Sequence, residues 1–301
     1  VPPMNPSRPS YTIGAHRFEA DPVAPGLHLV ATPIGNLGDI TLRALATLAA
    51  ADTVLCEDTR TSGRLMERYA IRTRLSPYHE HNAQKVRPEI LARLRDGATI
   101  ALISDAGTPL VSDPGYRLAT EAAAMGIPVS VCPGASAVLA ALAVSGLPTD
   151  RFLFAGFLPQ KQGERRRVLG DLARTRATLI FFESPHRIIE TLQDVADALP
   201  ARSVAVTREL TKLHEEVLRG TPGEVAATLA ARPAVKGEIT LLVSPPCEDA
   251  PVSEADLEAA ISAALADMPA SKAASELARR FNLNRADIYQ RILARKAGDG
   301  P

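Results

Sequence analysis

The chain has 301 residues, with 34 basic and 34 acidic side chains, so its formal net charge is zero. A zero net charge excludes a global positive field, and any contact with nucleic acid must come from local basic patches. Three widely spaced cysteines argue against a zinc site and a disulfide framework, and they favour a cytoplasmic protein. No apolar run approaches the roughly 20 residues of a membrane-spanning helix, so no membrane contact is expected.

Residues 1–26 carry six prolines and few large apolar side chains. A segment of this composition buries too little apolar surface to offset the entropy lost on ordering. We therefore predict a disordered leader over 1–26.

From residue 27 to residue 147, short apolar runs alternate with helical patterns. Strands are predicted at 27–32, 53–56, 100–103 and 127–131, with a polar loop at 77–82 and helices between the strands. Strands that alternate with helices indicate right-handed crossovers and a parallel sheet. The sequence therefore predicts an N-terminal α/β domain over 27–147.

The pattern restarts in residues 148–246. Strands are predicted at 152–155, 178–182, 204–208, 214–219 and 238–243, and helices at 163–173, 185–199 and 222–231. Only a short turn separates the third strand from the fourth, which demands antiparallel pairing. We therefore predict a second domain with a mixed α+β sheet.

Residues 247–301 are predicted to form a linker and a tail that resembles a helix-turn-helix. Between residues 269 and 296, seven basic side chains stand against two acidic ones, and the apolar residues follow helical spacing. Two interpretations remain open. The tail is either a helical bundle that packs on the body or on a second copy, or it contacts nucleic acid through Lys272, Arg279 and Arg280.

Three loops rich in glycine and proline follow predicted strands of the first domain, at 33–39, 104–115 and 133–136. At the carboxyl ends of parallel strands, such loops expose backbone N–H groups and leave a crevice for a ligand. Gly35 and Gly38 do not complete a dinucleotide fingerprint, and no P-loop pattern is present. The pattern predicts a ligand crevice without naming the ligand.

Six motifs in chain order carry a resemblance to one family. They are ATPIGNLGD at 31–39, CEDTR at 56–60, SDAGTP at 104–109, CPGAS at 132–136, FFESPHR at 181–187 and TRELTK at 207–212. Together they resemble the bacterial small-subunit ribosomal RNA (cytidine-2′-O)-methyltransferases, a branch of the tetrapyrrole methylase superfamily. The tail resembles that family's C-terminal helical module. The resemblance implies a homodimeric two-domain enzyme that binds S-adenosylmethionine in the cleft between its domains.

The same resemblance implies which residues bind the cofactor. From the first domain they are Pro33, Gly35, Asp105, Ala106, Gly107, Thr108, Pro109, Gly134, Ala135 and Ser136. From the second domain they are Glu183, Ser184, Gly237 and Thr240. The superfamily more often has Gly-Asp-Pro where this sequence has Gly107-Thr108-Pro109, which leaves Asp105 as the nearest alternative partner for the cofactor's amino group.

Candidates for the general base are Asp58 and His81, with Glu57 behind them, while Arg60 would hold a phosphate of the RNA. Glu57 and Asp58 are adjacent at a strand end, so their side chains diverge and only one is expected to face the cleft. The other is expected to cap a helix or to form an ion pair. His79 and His81 lack any further ligand signature, so no metal is predicted. Because the methyl group is already activated, positioning can supply much of the rate, and no single catalytic residue is required.

Two basic stretches of the second domain are candidates for RNA contact. Arg165, Arg166 and Arg167 are consecutive on a predicted helix and cannot all face a core, so they form either a solvated surface or a phosphate-binding face. His186 and Arg187 open a predicted helix, where they either bind an anion or cap the helix.

Other functions remain open from the sequence. A tetrapyrrole C-methyltransferase of the same superfamily is disfavoured by the consecutive arginines and the basic tail, which a macrocyclic substrate does not need. A non-catalytic RNA-binding assembly factor would bind the ribosome without forming product. A nicotinamide oxidoreductase is disfavoured by the missing fingerprint.

Helices rich in small residues at 119–124 and 137–143 would pack closely in a homodimer.

Overall fold

The computed structural model describes residues 8–110, 115–246, 254–281 and 283–298. The chain divides into two compact units, Val1–Pro246 and Cys247–Pro301. Within the described ranges, no helix has both the length and the apolar character needed to cross a membrane.

The N-terminal segment forms an antiparallel hairpin of β1 (Ser10–Ile13) and β2 (His16–Glu19). Tyr11 stacks on Phe18 with 5.5 Å between ring centroids, and it is buried in a core that it shares with the first sheet. The predicted disordered leader is therefore wrong for residues 8–26. The prolines there flank the hairpin, and the burial of Tyr11 offsets the entropic cost of ordering. Residues 1–7 lie outside the described residues.

The first sheet is parallel, with the strand order β5-β4-β6-β3-β7. Its strands are β3 (Gly26–Val30), β4 (Thr53–Cys56), β5 (Leu75–Pro77), β6 (Thr99–Leu102) and β7 (Val129–Cys132). The helices of this part are α1 (Leu42–Ala50), α2 (Thr59–Arg68), α3 (Glu80–Arg95), α4 (Tyr116–Ala124) and α5 (Ala137–Ser145). Strands β4 and β6 are buried along their whole length, as expected for strands with helices on both faces. The predicted α/β architecture is confirmed.

The second sheet has the strand order β11-β10-β12-β9-β8. Its elements are β8 (Phe152–Phe157), α6 (Gln162–Leu172), β9 (Thr178–Glu183), α7 (Ile188–Ala198), β10 (Val204–Arg208), β11 (Glu216–Gly220), α8 (Pro222–Ala230) and β12 (Ile239–Val243). The β8–β9 pair is parallel and the other three pairs are antiparallel, which confirms the predicted mixed sheet. The apolar helix α5 packs on this sheet through Val138, Ala141 and Leu142, so it joins the two sheets.

The smaller unit contains α9 (Glu254–Asp267), α10 (Ala270–Phe281) and α11 (Arg285–Gly298) in its described part. These helices enclose a core of their own, formed by Leu257, Ile261, Ala273, Ala274, Leu277, Ile288 and Ile292. Ion pairs of 2.7 Å (Arg291–Glu254) and 3.1 Å (Arg295–Glu258) connect the acidic α9 to the basic α11. The predicted helical module is confirmed.

Candidate active site

Three loops meet at the carboxyl edge of the first sheet, after β3, β6 and β7. Thr32 and Gly107 exchange backbone hydrogen bonds of 2.9 and 3.0 Å. The hydroxyl of Thr32 also donates to the carbonyl of Ser104 at 3.1 Å, and the hydroxyl of Thr108 donates to the carbonyl of Ala135 at 3.3 Å. Gly107 has a φ of +81°, a conformation that a side chain would strain. The three loops therefore form one continuous wall.

A cavity of about 480 Å³, the inter-sheet cavity, lies between this wall and the second sheet. Its volume suits a small organic ligand. Among the residues implied by the family resemblance, those that line it are Asp105, Ala106, Gly107, Thr108, Ser136, Glu183, Ser184, Gly237 and Thr240. The fold thus brings together residues from both sheets that the motifs singled out, while their contact with a cofactor stays a prediction.

Three of the implied residues shape the loops without lining this cavity. Pro109 is buried, and Ala135 supplies the carbonyl that Thr108 binds. Gly134 lies against Ala31, because a Cβ added at Gly134 would stand 3.0 Å from the Ala31 Cβ. These three residues thus shape the wall of the cavity, and their predicted contact with the cofactor stays a prediction.

The sequence motifs missed the apolar half of the inter-sheet cavity. This half includes Ile34, Val138, Phe157, Phe182 and Ile239. Phe157 is 61% exposed, and its ring packs edge-on against that of Phe182 with 5.5 Å between centroids. An exposed aromatic ring beside a cavity suits a flat heteroaromatic ligand. The aromatic residues of β8 are visible in the sequence, but their position opposite the loops depends on how the two sheets pack.

Glu183 is a buried carboxylate whose two oxygens accept hydrogen bonds from nearby residues of the chain. Its Oε1 accepts hydrogen bonds of 2.6 Å from the backbone N–H of Ser184 and from the guanidinium of Arg187, and its Oε2 accepts one of 2.7 Å from the hydroxyl of Thr191. The RNA contact predicted for Arg187 does not fit this geometry, because its guanidinium is bound to Glu183, the last residue of β9. His186 remains exposed beside it.

A second cavity of about 350 Å³, the polar cavity, adjoins the first. The two cavities share Ile34, Asp105, Ala106 and Glu238 in their linings. The polar cavity is also lined by Thr32, Pro33, Gly35, Leu37, Thr61, Ser62, Arg64, Leu65, Ile103, Ser104 and Lys212. Pro33 and Gly35 thus line the polar cavity and not the inter-sheet cavity, and their predicted contact with the cofactor stays a prediction.

Lys212 is a largely buried cation of the polar cavity. Its ammonium donates hydrogen bonds of 2.9 Å to Glu209 and to Glu238. Burial lowers the pKa of Lys212, but the two hydrogen bonds outweigh burial and leave the pKa above its usual value. Lys212 is therefore an ammonium ion at neutral pH. The TRELTK motif contains this lysine, but sequence analysis gave it no role because its partner Glu238 lies far along the chain.

The predicted catalytic residues Asp58, Arg60 and His81 line one open depression of about 450 Å³, the Asp58 depression. Glu57 and His79 line it too, so both members of the Glu57–Asp58 pair face the same space. His81 lies in the first turn of α3, where the sequence pattern predicted a loop. The structure thus brings the three candidates together, and the chemistry of each depends on its partners.

Asp58 caps α2 and pairs with Arg60. Its carboxylate accepts hydrogen bonds of 2.8 Å from the backbone N–H of Arg60 and from its guanidinium. Hydrogen bonds from the Arg60 side chain and backbone lower the pKa of Asp58 to about 2. So acidic a carboxylate is a weak base at neutral pH. The geometry argues against the predicted general-base role of Asp58 and gives it the capping role that sequence analysis allowed for one member of the pair.

The three consecutive arginines lie on different faces of α6. Arg165 is 1% exposed and donates to the buried Asp194 of α7 at 2.6 Å. Arg166 pairs with Asp194 at 2.6 Å and with Asp197 at 2.8 Å, while Arg167 is exposed. Burial raises the pKa of Asp194, but hydrogen bonds from Arg166 and Arg165 outweigh it and leave the pKa below its usual value. The predicted RNA contact of Arg165 is wrong, because this face of the helix turns inward onto a carboxylate.

The basic residues predicted for the tail lie on α10. Lys272 is exposed there. The side chains of Arg279 and Arg280 lie outside the described residues, so their contact with RNA stays a prediction.

Comparison with known proteins adds an independent line of evidence. The family described as "Tetrapyrrole (Corrin/Porphyrin) Methylases" matches residues 26–226, and the "RsmI C-terminal HTH domain" matches residues 251–296. A protein of Mesorhizobium japonicum named "Ribosomal RNA small subunit methyltransferase I" is 53% identical over 289 residues, which are 96% of this chain and 98% of that protein. A protein of the same name from Erythrobacter litoralis is 49% identical over 281 residues, which are 93% of this chain and 99% of that one.

Solved structures agree on the fold. A uroporphyrin-III-C-methyltransferase from Thermus thermophilus aligns with a TM-score of 0.53 at 23% identity, over 72% of this chain and 93% of that one. A diphthine synthase aligns with a TM-score of 0.57 at 14% identity, over 72% and 89%. At these identities the likeness shows the fold alone. Taken with the two-sheet architecture and the relatives' identity over nearly the whole chain, these matches show that the chain is a methyltransferase of the tetrapyrrole methylase family and belongs to its ribosomal RNA small subunit methyltransferase I group.

Proposed function

We propose that this methyltransferase transfers a methyl group from S-adenosylmethionine to the ribose 2′-hydroxyl of a cytidine in small-subunit ribosomal RNA. The observation that carries the proposal is the pair of adjoining cavities that share Asp105 and Glu238. A transfer between two substrates needs two binding places that meet at the reacting atoms. The name of the relatives supports ribosomal RNA as the acceptor.

The inter-sheet cavity fits the cofactor in size and in chemistry. Its volume of about 480 Å³ is that of a small-molecule site. Phe157, Val138 and Ile239 offer an apolar wall for the adenine ring, while the backbone of residues 106–108 and the carboxylate of Asp105 offer polar partners for the methionine end. The bound cofactor supplies a methyl group activated by the positive charge on its sulfur. The chain's own part is to orient the ligand and exclude water.

The polar cavity is the proposed place for the acceptor nucleotide. Its lining includes the cations Arg64 and Lys212, which suit the phosphate and ribose oxygens of RNA. Arg60 and His81 in the Asp58 depression would contact neighbouring phosphates, because the side chain of Arg60 is 89% exposed. The nucleotide would reach the cofactor past the shared wall of the two cavities.

Further RNA contacts are proposed for six other basic residues of the two units. These are Arg166, Arg167, His186, Lys272, Arg279 and Arg280. Contacts of this kind bind phosphates without reading sequence, and they make the affinity fall as salt rises. Action on ribosomal RNA would place the protein in the cytoplasm.

A second copy of the chain is the proposed partner of an apolar face. Strands β7 and β8 are edge strands of their sheets. The apolar residues exposed on β7, α5 and β8 include Val129, Val131, Leu139, Phe152 and Leu153. Exposed apolar side chains on edge strands mark interaction surfaces. Light scattering would measure the mass in solution, and a wild-type protein that is monomeric at all concentrations would contradict the homodimer.

The function is tested by incubating the purified protein with labelled S-adenosylmethionine and either small ribosomal subunits from a strain that lacks the activity or free ribosomal RNA. The RNA is then digested, and the labelled nucleoside is mapped by mass spectrometry. We expect label on a single ribose-methylated cytidine. Measurable cofactor binding without label on any RNA would contradict the proposal and favour a tetrapyrrole methyltransferase, whereas subunit binding without product would favour an assembly factor.

A further inference from the structure

The loop between β10 and β11 has an unusual backbone beside the polar cavity. Glu209 has a φ of +51° and Thr211 a φ of +66°, although neither residue is glycine. Such conformations are costly and persist where the surrounding structure holds them, which is common at functional sites. An ion pair of 3.0 Å between Arg208 and Glu216 closes the base of the loop. Lys212 follows directly after the two strained residues.

Two glycines make room for this loop. A Cβ at Gly35 would lie 2.5 Å from the Cγ of Lys212, and a Cβ at Gly237 would lie 2.4 Å from the Cγ of Glu209. Gly35 belongs to the loop after β3. Gly237 lies two residues before β12 of the second sheet. Backbone from both sheets therefore closes on the loop and determines where Lys212 lies.

The ammonium of Lys212 has a hydrogen-bond donor to spare. An ammonium group carries three N–H bonds, and two of them go to Glu209 and Glu238. Lys212 lines the polar cavity, so the third N–H is available to a ligand there. Glu209 is further anchored because its Oε1 accepts the backbone N–H of Glu238 at 2.9 Å. The side chain of Glu238 is 74% exposed and lines both cavities.

We propose that Lys212 is a catalytic residue whose ammonium donates a hydrogen bond to the acceptor 2′-oxygen, and that the Glu238 carboxylate takes the proton from this oxygen. The inference rests on the proposed function. As the 2′-oxygen forms its bond to the methyl carbon, the carbon–sulfur bond breaks and its electron pair stays on sulfur. The hydroxyl proton passes to Glu238, which releases it to water. Lys212 stabilises the negative charge that develops on the oxygen.

The two roles follow from the state of each group. Hydrogen bonds to two carboxylates hold Lys212 in its charged form, so it serves as a donor and not as a base. A separate proton acceptor is then needed, and Glu238 lies at hydrogen-bond distance from the ammonium on the wall that both cavities share. Asp58 is unsuited to the task because Arg60 occupies its carboxylate.

The test compares single-turnover methylation of ribosomal RNA at saturating cofactor and RNA. The proteins compared are the wild type, Lys212→Met, Lys212→Arg, Glu238→Gln and Lys236→Met. Methionine keeps most of the alkyl chain that packs on Gly35 but carries no charge. Lys236 is a matched control, since it is exposed, lies two residues before Glu238 and lines neither cavity. Calorimetry measures cofactor affinity, and thermal unfolding measures Tm.

We expect the Lys212→Met rate to fall by about 10²–10³-fold, the loss seen when one donor to a developing oxyanion is removed. Lys212→Arg should recover at least about tenfold of this loss because it keeps a cationic donor. Glu238→Gln should lose about 10²-fold, as expected for a general base. Cofactor affinity and Tm of Lys212→Met should match the wild type, and Lys236→Met should methylate at the wild-type rate.

A Lys212→Met rate within about threefold of the wild type would overturn the inference. A larger fall in rate would also overturn it if weaker cofactor binding or a lower Tm explained the whole fall. An active wild type beside an equally active Lys212→Met refutes this inference alone. A wild type that labels no RNA refutes the proposed function and, with it, this role of Lys212.

Discussion

Asp105 has a charged cluster on each side, and the two clusters differ in what they leave free. On one side, the backbone N–H of Asp58 donates to Asp105 at 3.1 Å, while the Asp58 carboxylate is occupied by Arg60. On the other side, Lys212 shares the polar cavity with Asp105 and keeps one N–H available after binding Glu209 and Glu238. Residue type and proximity to a cleft are thus insufficient to assign a catalytic role. A better candidate is a group that the fold holds in place and that keeps a hydrogen-bond donor or acceptor free for a ligand.

Among substitutions that leave Lys212 itself unchanged, the largest effect is expected from one that displaces its side chain. In Gly35→Ala, the new Cβ would lie 2.5 Å from the Lys212 Cγ, so the lysine must move. A displacement of about 1 Å at a reacting centre can cost about 10²-fold in rate, and we expect a loss of that order in single-turnover methylation. Cofactor affinity, measured by calorimetry, should be nearly unchanged, because Gly35 does not line the inter-sheet cavity.

Gly63→Ala is the matched control for this substitution. Gly63 lies in α2, and a Cβ there would have no neighbour within 4 Å. Alanine at this helical position should raise the stability by up to about 1 kcal/mol and leave the rate unchanged. Equal rates for the two variants would show that the position of Lys212 is unimportant.

A smaller effect is expected at Glu216, which supports the loop that carries Lys212. Hydrogen bonds from Arg232, together with those from Arg208, outweigh burial and lower the pKa of Glu216 to about 2. A folded-state pKa below the unfolded value stabilises the protein fully above about pH 4.3, and this contribution is lost as the pH falls toward 2. Glu216→Gln should therefore cost roughly 2 kcal/mol at pH 7 and less as the pH falls toward 2. Urea unfolding at several pH values measures the difference, and a constant difference would contradict the assignment.

Arg165 and Arg167 on α6 also differ in whether the fold leaves the side chain available to a ligand. Arg165 is committed to Asp194, whereas Arg167 is exposed. Arg167→Ala should weaken RNA binding by a few-fold and lower the salt slope of the affinity by about 1, as expected for one lost phosphate contact. Arg95→Ala is a matched control, because Arg95 is exposed at the opposite end of α3 from His81. Binding isotherms over a range of salt concentrations that superimpose for wild type and Arg167→Ala would remove Arg167 from the RNA surface.

Features that depend on local interactions could be predicted from the sequence, whereas features that depend on contacts between distant residues could not. Alternating apolar runs predicted both sheets, because strand and helix periodicity is local, and the motifs predicted the loops that line the inter-sheet cavity. The hairpin around Tyr11 was missed because composition was judged over the whole leader, where the flanking prolines dominate. Arg165 was misassigned because its partner Asp194 lies on another helix. The role proposed for Lys212 could not be predicted for the same reason, since the position of its ammonium depends on Gly35 and Glu238, which approach it only in the folded chain.

The smallest effect is expected for the residue that looked like the general base. In Asp58→Asn, the side-chain oxygen can still accept the backbone N–H of Arg60 and cap α2, while the ion pair with the guanidinium is lost. We expect a methylation rate within about threefold of the wild type and a small fall in Tm, because a carboxylate with a pKa of about 2 contributes little as a base. Asp58→Ala, which also removes the cap, should lower Tm further with no greater effect on rate. A loss of about 10²-fold in Asp58→Asn at unchanged Tm would make Asp58 the proton acceptor. The cluster of Asp58 and Arg60, and not that of Lys212 and Glu238, would then carry the chemistry.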